Sequence, residues 1–217
     1  MTQSTYGSNF TGAVDFGLTL NGIDWKDFKG GFYYYIQPIV TDIFPQSGPS
    51  RGNSKVKVYG EGFRDDFSGK NLGCRVGNSY GEAAYVSSSE VNCIFKRLPL
   101  LEQNTTLNFS FAMNNYSFTP ENENFNFTPY GIISINPSSG PIEGGTRIEI
   151  KGAGFFDSLK IRCRFGVPGW YSYTEAQYLD YNRILCSAPT SFNIPNAGQL
   201  PFSVPFSIAF NQDEFSK

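Results

Sequence analysis

A 21-residue stretch occurs twice in this chain, and its second copy needs no gap. Residues 43–63 read Ile-Phe-Pro-Gln-Ser-Gly-Pro-Ser-Arg-Gly-Asn-Ser-Lys-Val-Lys-Val-Tyr-Gly-Glu-Gly-Phe, and residues 135–155 read Ile-Asn-Pro-Ser-Ser-Gly-Pro-Ile-Glu-Gly-Gly-Thr-Arg-Ile-Glu-Ile-Lys-Gly-Ala-Gly-Phe. The offset is 92 positions, from 43 to 135. The residues that recur are Pro, Gly and alternating aliphatics, which set backbone shape and core faces. The residues that differ, such as Lys57 against Glu149 and Glu61 against Ala153, are expected where an alternating strand faces water. A chain that repeats its scaffold and varies its surface is an array of like domains.

Two repeats of about 90 residues are each large enough to bury a core. The apolar content is aromatic in character, with 21 Phe and 13 Tyr, and 23 Gly and 13 Pro punctuate it. No run of ten residues shows apolar spacing at i, i+3, i+4 and i+7, so the expected fold class is all-β. Lys-Val-Lys-Val and Arg-Ile-Glu-Ile read as strands with one buried face. Gly48-Pro49 and Gly140-Pro141 read as turns, while Gly60-x-Gly62 and Gly152-x-Gly154 read as sites of positive φ or a bulge. No strand-to-helix switch follows these glycines, which argues against a phosphate cradle.

Net charge is −2 with no basic stripe, so no nucleic-acid partner is expected. No apolar run approaches 18 residues, so no membrane span is expected in this chain. The chain contains no His, which removes the commonest general base and metal ligand. Asp65-Asp66, Glu82, Glu121 and Glu123 form no glycosidase-like carboxylate pair and no calcium loop. The expectation is therefore no enzyme, no cofactor and no metal. Arg64 beside Asp65-Asp66 reads as a local ion pair, Arg75, Arg162 and Arg164 as solvated or stacked on aromatics, and Trp170-Tyr-Ser-Tyr173 as packing residues.

The four cysteines also follow the repeat. Cys74-Arg-Val-Gly precedes Cys93, and Cys163-Arg-Phe-Gly precedes Cys186. Four cysteines allow three connectivities, and the repeat selects Cys74–Cys93 and Cys163–Cys186. A bridge closing a loop of about 20 residues stabilises by roughly 3 kcal/mol in the chain-entropy view. Five Asn-x-Ser/Thr sequons stand at Asn9, Asn104, Asn108, Asn115 and Asn126, and they predict covalent N-glycans. Alternation turns Asn104, Asn108 and Asn126 away from their apolar neighbours, so four of the five sequons are expected to cluster along one edge of the middle domain. Thr128-Pro129 after Asn126 is expected to lower its occupancy. Disulfides and sequons together predict an extracellular or cell-surface setting. Met1-Thr-Gln-Ser-Thr lacks the layout of a secretory signal, so the chain is expected to be a mature product or an excerpt of a longer precursor.

The motif Pro-x-Ser-Gly-Pro-x-x-Gly-Gly-Thr-x-Ile-x-Ile-x-Gly-x-Gly-Phe, with Cys163-Arg-Phe-Gly, Cys186-Ser-Ala-Pro and Phe206-Ser-Ile-Ala-Phe-Asn211, resembles the IPT/TIG domain. This is the immunoglobulin-like fold of plexins, scatter-factor receptors and many protist surface proteins. The resemblance runs from about Ile39 onward and is looser in the middle, where Cys93 is followed by Ile-Phe-Lys. It implies tandem immunoglobulin-like β-sandwiches and leaves function open, because the family spans receptors, DNA-binding factors and accessory domains of starch-acting enzymes.

The expected division is residues 1–38 as the closing strands of a partial domain, 39–130 as one IPT/TIG-like domain, and 131–217 as a second without its own closing strand. Val14-Asp-Phe-Gly-Leu-Thr-Leu-Asn21 parallels residues 107–114 and 202–211, and Phe32-Tyr-Tyr-Tyr-Ile36 follows it. Either the sequence is a window on a longer array, or Phe32, Tyr33, Tyr34, Tyr35 and Ile36 form an assembly strand that completes the last domain of the next subunit, giving a head-to-tail fibre. The expected role is a non-catalytic structural or adhesive glycoprotein, its partners itself or other extracellular proteins, with a plexin-like receptor or adhesion ectodomain as the alternative.

Overall fold

The computed structural model describes residues 11–65, 71–101, 105–120, 125–190 and 203–210. Those residues form fifteen strands, and no helix occurs among them. The first two, β1 (Gly12–Leu18) and β2 (Lys26–Tyr34), pair antiparallel as a separate two-stranded sheet.

The remaining strands build two sandwiches in sequence order. The first comprises β3 (Ile39–Phe44), β4 (Ser47–Pro49), β5 (Arg51–Glu61), β6 (Gly73–Val76), β7 (Ser79–Ser87), β8 (Glu90–Arg97), β9 (Leu107–Ala112) and the start of β10 (Asn126–Asn136). The second comprises the rest of β10 with β11 (Arg147–Ala153), β12 (Arg162–Val167), β13 (Trp170–Asp180), β14 (Arg183–Ser187) and β15 (Phe206–Ala209). Hydrogen bonding runs β15-β12-β13-β14-β11-β10-β9-β6-β7-β8-β5-β3, with β4 laid parallel on β10.

Sequence alternation explains which faces close over the cores. Val56 and Val58 of β5 are buried while Lys55 and Lys57 between them are exposed, and Ile148 and Ile150 repeat this in β11. The first core gathers Ile43, Phe63, Phe95, Phe109, Phe111 and Phe127, and the second gathers Tyr130, Ile150, Phe155, Ile184, Ile208 and Phe210. Burying a large apolar side chain contributes about 1.5–3 kcal/mol, so each aromatic core is a substantial driving force.

The repeat extends to irregularities. Pairing of β3 with β5 slips between Val40 and Asp42, and that of β10 with β11 slips between Ile132 and Ser134, the same 92 positions on. Gly62 and Gly154 take φ of 80° and 75°. Two expectations need correcting. Ala153, the counterpart of the water-facing Glu61, is buried instead. Gly48-Pro49 is no turn: these residues belong to the short strand β4, and the break from β3 comes earlier, at the cis Phe44–Pro45 bond. A proline, lacking an N–H, is tolerated in such a short edge strand.

Each sheet folds sharply at its middle. Cys74 on β6 and Cys93 on β8 flank β7, and Cys163 on β12 and Cys186 on β14 flank β13. The joined cysteines have Cα atoms 6.1 and 6.5 Å apart. Flat strands two places apart would stand at roughly 9.6 Å, twice the inter-strand spacing. The sheet therefore bends at β7 and at β13, bringing outer strands within bridging reach.

Candidate functional site

The feature that most distinguishes this chain is the joint at β10. Phe127 is fully buried in the first core, and Tyr130, three residues on, is fully buried in the second. One strand thus closes one sandwich and opens the next, with no linker between them. At its start it pairs with β9 (Asn126 opposite Asn108, Phe127 opposite Leu107) and with β4 (Thr128 to Tyr130 beside Ser47 to Pro49). From Gly131 it pairs with β11.

Local chemistry fixes this handover. Ser50 N–H donates to the Tyr130 carbonyl at 2.6 Å, and Thr128 N–H donates to the Gln46 carbonyl at 2.9 Å. The Tyr130 ring meets Phe210 edge-on at 4.7 Å. Gly154 packs its Cα against the Pro129 carbonyl, where a β-carbon would collide, and its φ of 75° suits glycine. Tyr181, from the second sandwich, donates its hydroxyl to the Leu101 carbonyl of the first at 3.1 Å. Burial raises the Tyr181 phenol above 10.0, opposed by backbone hydrogen bonds from Gly154 and Thr105.

A second repeated device lies beside each disulfide. Arg75 donates Nε–H to Ser110 Oγ at 3.1 Å and sits over the Phe118 ring at 4.7 Å. Arg164 donates to Ser207 Oγ at 2.9 Å and sits over Tyr171 at 4.4 Å. Each arginine ties two strands together and covers an aromatic ring. Arg64 donates to the Tyr33 hydroxyl at 3.0 Å and lies 5.6 Å over its ring, a contact that the acidic neighbours in sequence do not reveal. Trp170 and Tyr173 expose about half their surface, more outward than packing residues should be. Three positions apart, they would fall on opposite faces of a strictly alternating strand. Both are outward because the alternation of β13 is broken between Tyr171 and Ser172 and regular only from there on.

Asn9 and Asn104 lie outside the described residues. Asn108 and Asn126 are half-buried cross-strand partners on β9 and β10, and Asn115 is exposed in the turn after β9. Of the assembly-strand residues, Phe32, Tyr33 and Tyr34 belong to β2, whereas Tyr35 and Ile36 lie past its end and Tyr35 packs on the first core. Burial raises the Tyr35 phenol above 10.0, against a lowering hydrogen bond with Ser117. Among the described residues, no group of three or more His, Cys, Asp or Glu side chains converges as a metal site.

The hairpin β1–β2 matches β9 with the start of β10. Asn21 Oδ1 accepts N–H groups from Ile23 and Asp24 at 3.0 and 2.9 Å, and Asn114 Oδ1 accepts them from Tyr116 and Ser117 at 3.0 and 2.7 Å. Seven positions before each Asn, Val14 opposes Phe32 and Leu107 opposes Phe127. Phe32 is thus the counterpart of Phe127.

In the second sandwich the counterpart of Phe127's slot is an apolar groove of about 510 Å³. It is lined by Gly140, Pro141, Ile148, Phe165, Val204 and Phe206 among others. Gly140 and Pro141 stand 92 positions after Gly48 and Pro49, and Val204 stands where the Arg–Ser pairing places Leu107.

The IPT/TIG domain family profile matches residues 38–127 and 129–212. Mouse plexin-A2 is 23% identical over 186 residues, covering 83% of this chain and 9% of plexin-A2. Human plexin-A3 is 26% identical over 174 residues (77% and 9%), and human fibrocystin-L is 23% identical over 148 residues (66% and 3%). This chain therefore spans less than a tenth of the length of each of these relatives. The solved full extracellular region of plexin A4 shares 16% identity at a TM-score of 0.44, covering 81% of this chain and 15% of that one. With both of its repeats matched, the chain belongs to the IPT/TIG domain family.

Proposed function

We propose that this chain is a non-catalytic spacer from an extracellular receptor or adhesion protein, with TIG sandwiches in rigid series holding other parts of that protein apart. The observation that carries the reading is β10, a single strand whose Phe127 and Tyr130 anchor two successive cores. A joint without a linker transmits position in a way that a flexible tether cannot. The plexin relatives and the two disulfide bridges support an oxidising, cell-surface setting. No helix among the described residues is long and apolar enough to cross a membrane.

The test is surface biotinylation of the native protein in its own cells, with peptide mapping under non-reducing conditions. Labelled protein carrying Cys74–Cys93 and Cys163–Cys186 is expected. Intracellular protein with free thiols would remove the reading.

Head-to-tail assembly through Phe32, Tyr33, Tyr34, Tyr35 and Ile36 draws on the open groove and on the exposed hairpin. It meets an obstacle: β1 already holds Phe32 to Tyr34, and the acceptor's β15 already occupies the place that β1 would bring along. The spacer reading requires no such exchange and is preferred. Sedimentation of the pure chain and of Phe32→Asp decides between them. Self-association that the substitution abolishes would favour the fibre.

A further inference from the structure

Of the described sequons, Asn115 differs in surroundings. Asn108 and Asn126 face one another across β9 and β10, both half-buried, so a sugar on either crowds the other. Asn115, heading Asn115-Tyr116-Ser117, is exposed at φ 59° and lies over Gly73. It also lines a half-open cleft of about 450 Å³ with Leu72, Tyr80, Gly81, Glu82 and Lys96.

That cleft combines a flat aromatic wall with a polar rim. Tyr80 is 65% exposed, yet its ring is held edge-on by Phe118 at 5.8 Å, and Phe118 lies under the Arg75 guanidinium. Glu82 and Lys96, ion-paired with each other, border the cleft. An exposed aromatic ring beside polar groups is suited to the amphipathic face of a sugar, whose C–H groups pack on the ring while its hydroxyls bond to the rim.

We propose that Asn115 carries an N-linked glycan whose first N-acetylglucosamine lies in this cleft against Tyr80. The inference rests on the extracellular reading, because the modification belongs to the secretory route. The oligosaccharide comes from a lipid-pyrophosphate-linked donor. Asn115 Nδ2 attacks the anomeric carbon, the C1–O bond to pyrophosphate breaks as the N–C1 bond forms, Nδ2 gives up one proton, and the lipid pyrophosphate leaves.

The experiment is to secrete the chain from a eukaryotic host and map its glycopeptides by mass spectrometry. Asn115 is expected to be modified in nearly every molecule, with NMR contacts between the first sugar and the Tyr80 ring. Removing the whole glycan with an amidase should lower Tm by roughly 3 °C. In the Tyr80→Ala variant, whose lost ring is largely exposed, that difference should shrink to the effect of the aspartate that the amidase leaves at position 115. An unmodified Asn115 in secreted, fully bridged protein overturns the proposal and leaves the extracellular reading intact. Equal loss of Tm with and without the Tyr80 ring overturns the sugar contact. Secreted protein with free thiols overturns the extracellular reading and this proposal with it.

Discussion

The pair β1–β2 and the pair formed by β9 with the start of β10 are the same two strands in different company. They share the register of Val14 with Phe32 and of Leu107 with Phe127, and the same Asn-capped turn. In β9 and β10, Phe109, Phe111 and Phe127 are 1%, 0% and 0% exposed; in the hairpin, Phe16, Leu18 and Phe32 are 51%, 51% and 54% exposed. Local pattern is thus enough to specify a strand pair and the identity of its apolar face. Burial comes from the strands that fold over that face, and β1–β2 has none of them among the described residues. A two-stranded hairpin alone is marginal in water, so the comparison separates what a hairpin encodes from what a sandwich supplies.

The sharpest way to break the comparison is to truncate the counterpart aromatics. Phe127→Ala removes a fully buried ring packed against Gly48 and should cost about 3–5 kcal/mol in urea unfolding. Phe32→Ala removes a half-exposed ring and should stay within roughly 0.5 kcal/mol. A large effect of Phe32→Ala would show that the hairpin is covered in solution and that the two pairs are not in different states.

A smaller effect is expected at the joint. Gly154→Ala places a β-carbon against the Pro129 carbonyl at a φ of 75° and should cost roughly 1–3 kcal/mol. Gly145→Ala shares the positive φ of 77° but meets nothing within contact distance, so only the backbone cost remains. Differential scanning calorimetry should show the first substitution splitting the unfolding into two transitions, as the sandwiches lose their shared strand, and the second leaving one. A single transition in both variants would mean that β10 does not couple the units.

How much of this was legible follows from what each signal encodes. The strand class, the buried aliphatics Val56, Val58, Ile148 and Ile150, and the positive φ of Gly62 and Gly154 were readable, because alternation and glycine placement report local backbone directly. The family could be read from the same motif. The role of β10 was not readable, since dividing the chain between Tyr130 and Gly131 cuts through a continuous strand. Nothing in Asn-Phe-Thr-Pro-Tyr says that its two aromatics serve different cores. Arg64 illustrates the same limit. Its acidic neighbours in sequence, of which Asp66 lies outside the described residues, do not announce the Tyr33 hydroxyl 31 positions away. The Asn115 cleft depends on β7, β8, the approach to β6 and a turn meeting, which no single segment records.

The mildest test concerns pH and again sets the two regions against each other. Burial raises the phenols of Tyr35, where the hairpin meets the first core, and of Tyr181, at the second joint, above 10.0. A raised native pKa means that the native state holds its proton more tightly than the unfolded chain. The resulting stability is fully present below pH 10 and is lost as pH rises through the native values. Urea midpoints should therefore fall above pH 10, by an amount that Tyr181→Phe reduces. Because Tyr181 is partly exposed, that reduction should be small. Tyr35→Phe should reduce it as well if the end of β2 is seated on the first core as firmly as Tyr181 is seated against Leu101. An unchanged alkaline fall in Tyr35→Phe would mean that this seat opens before the rest of the molecule, leaving the hairpin joint weaker than the joint at β10.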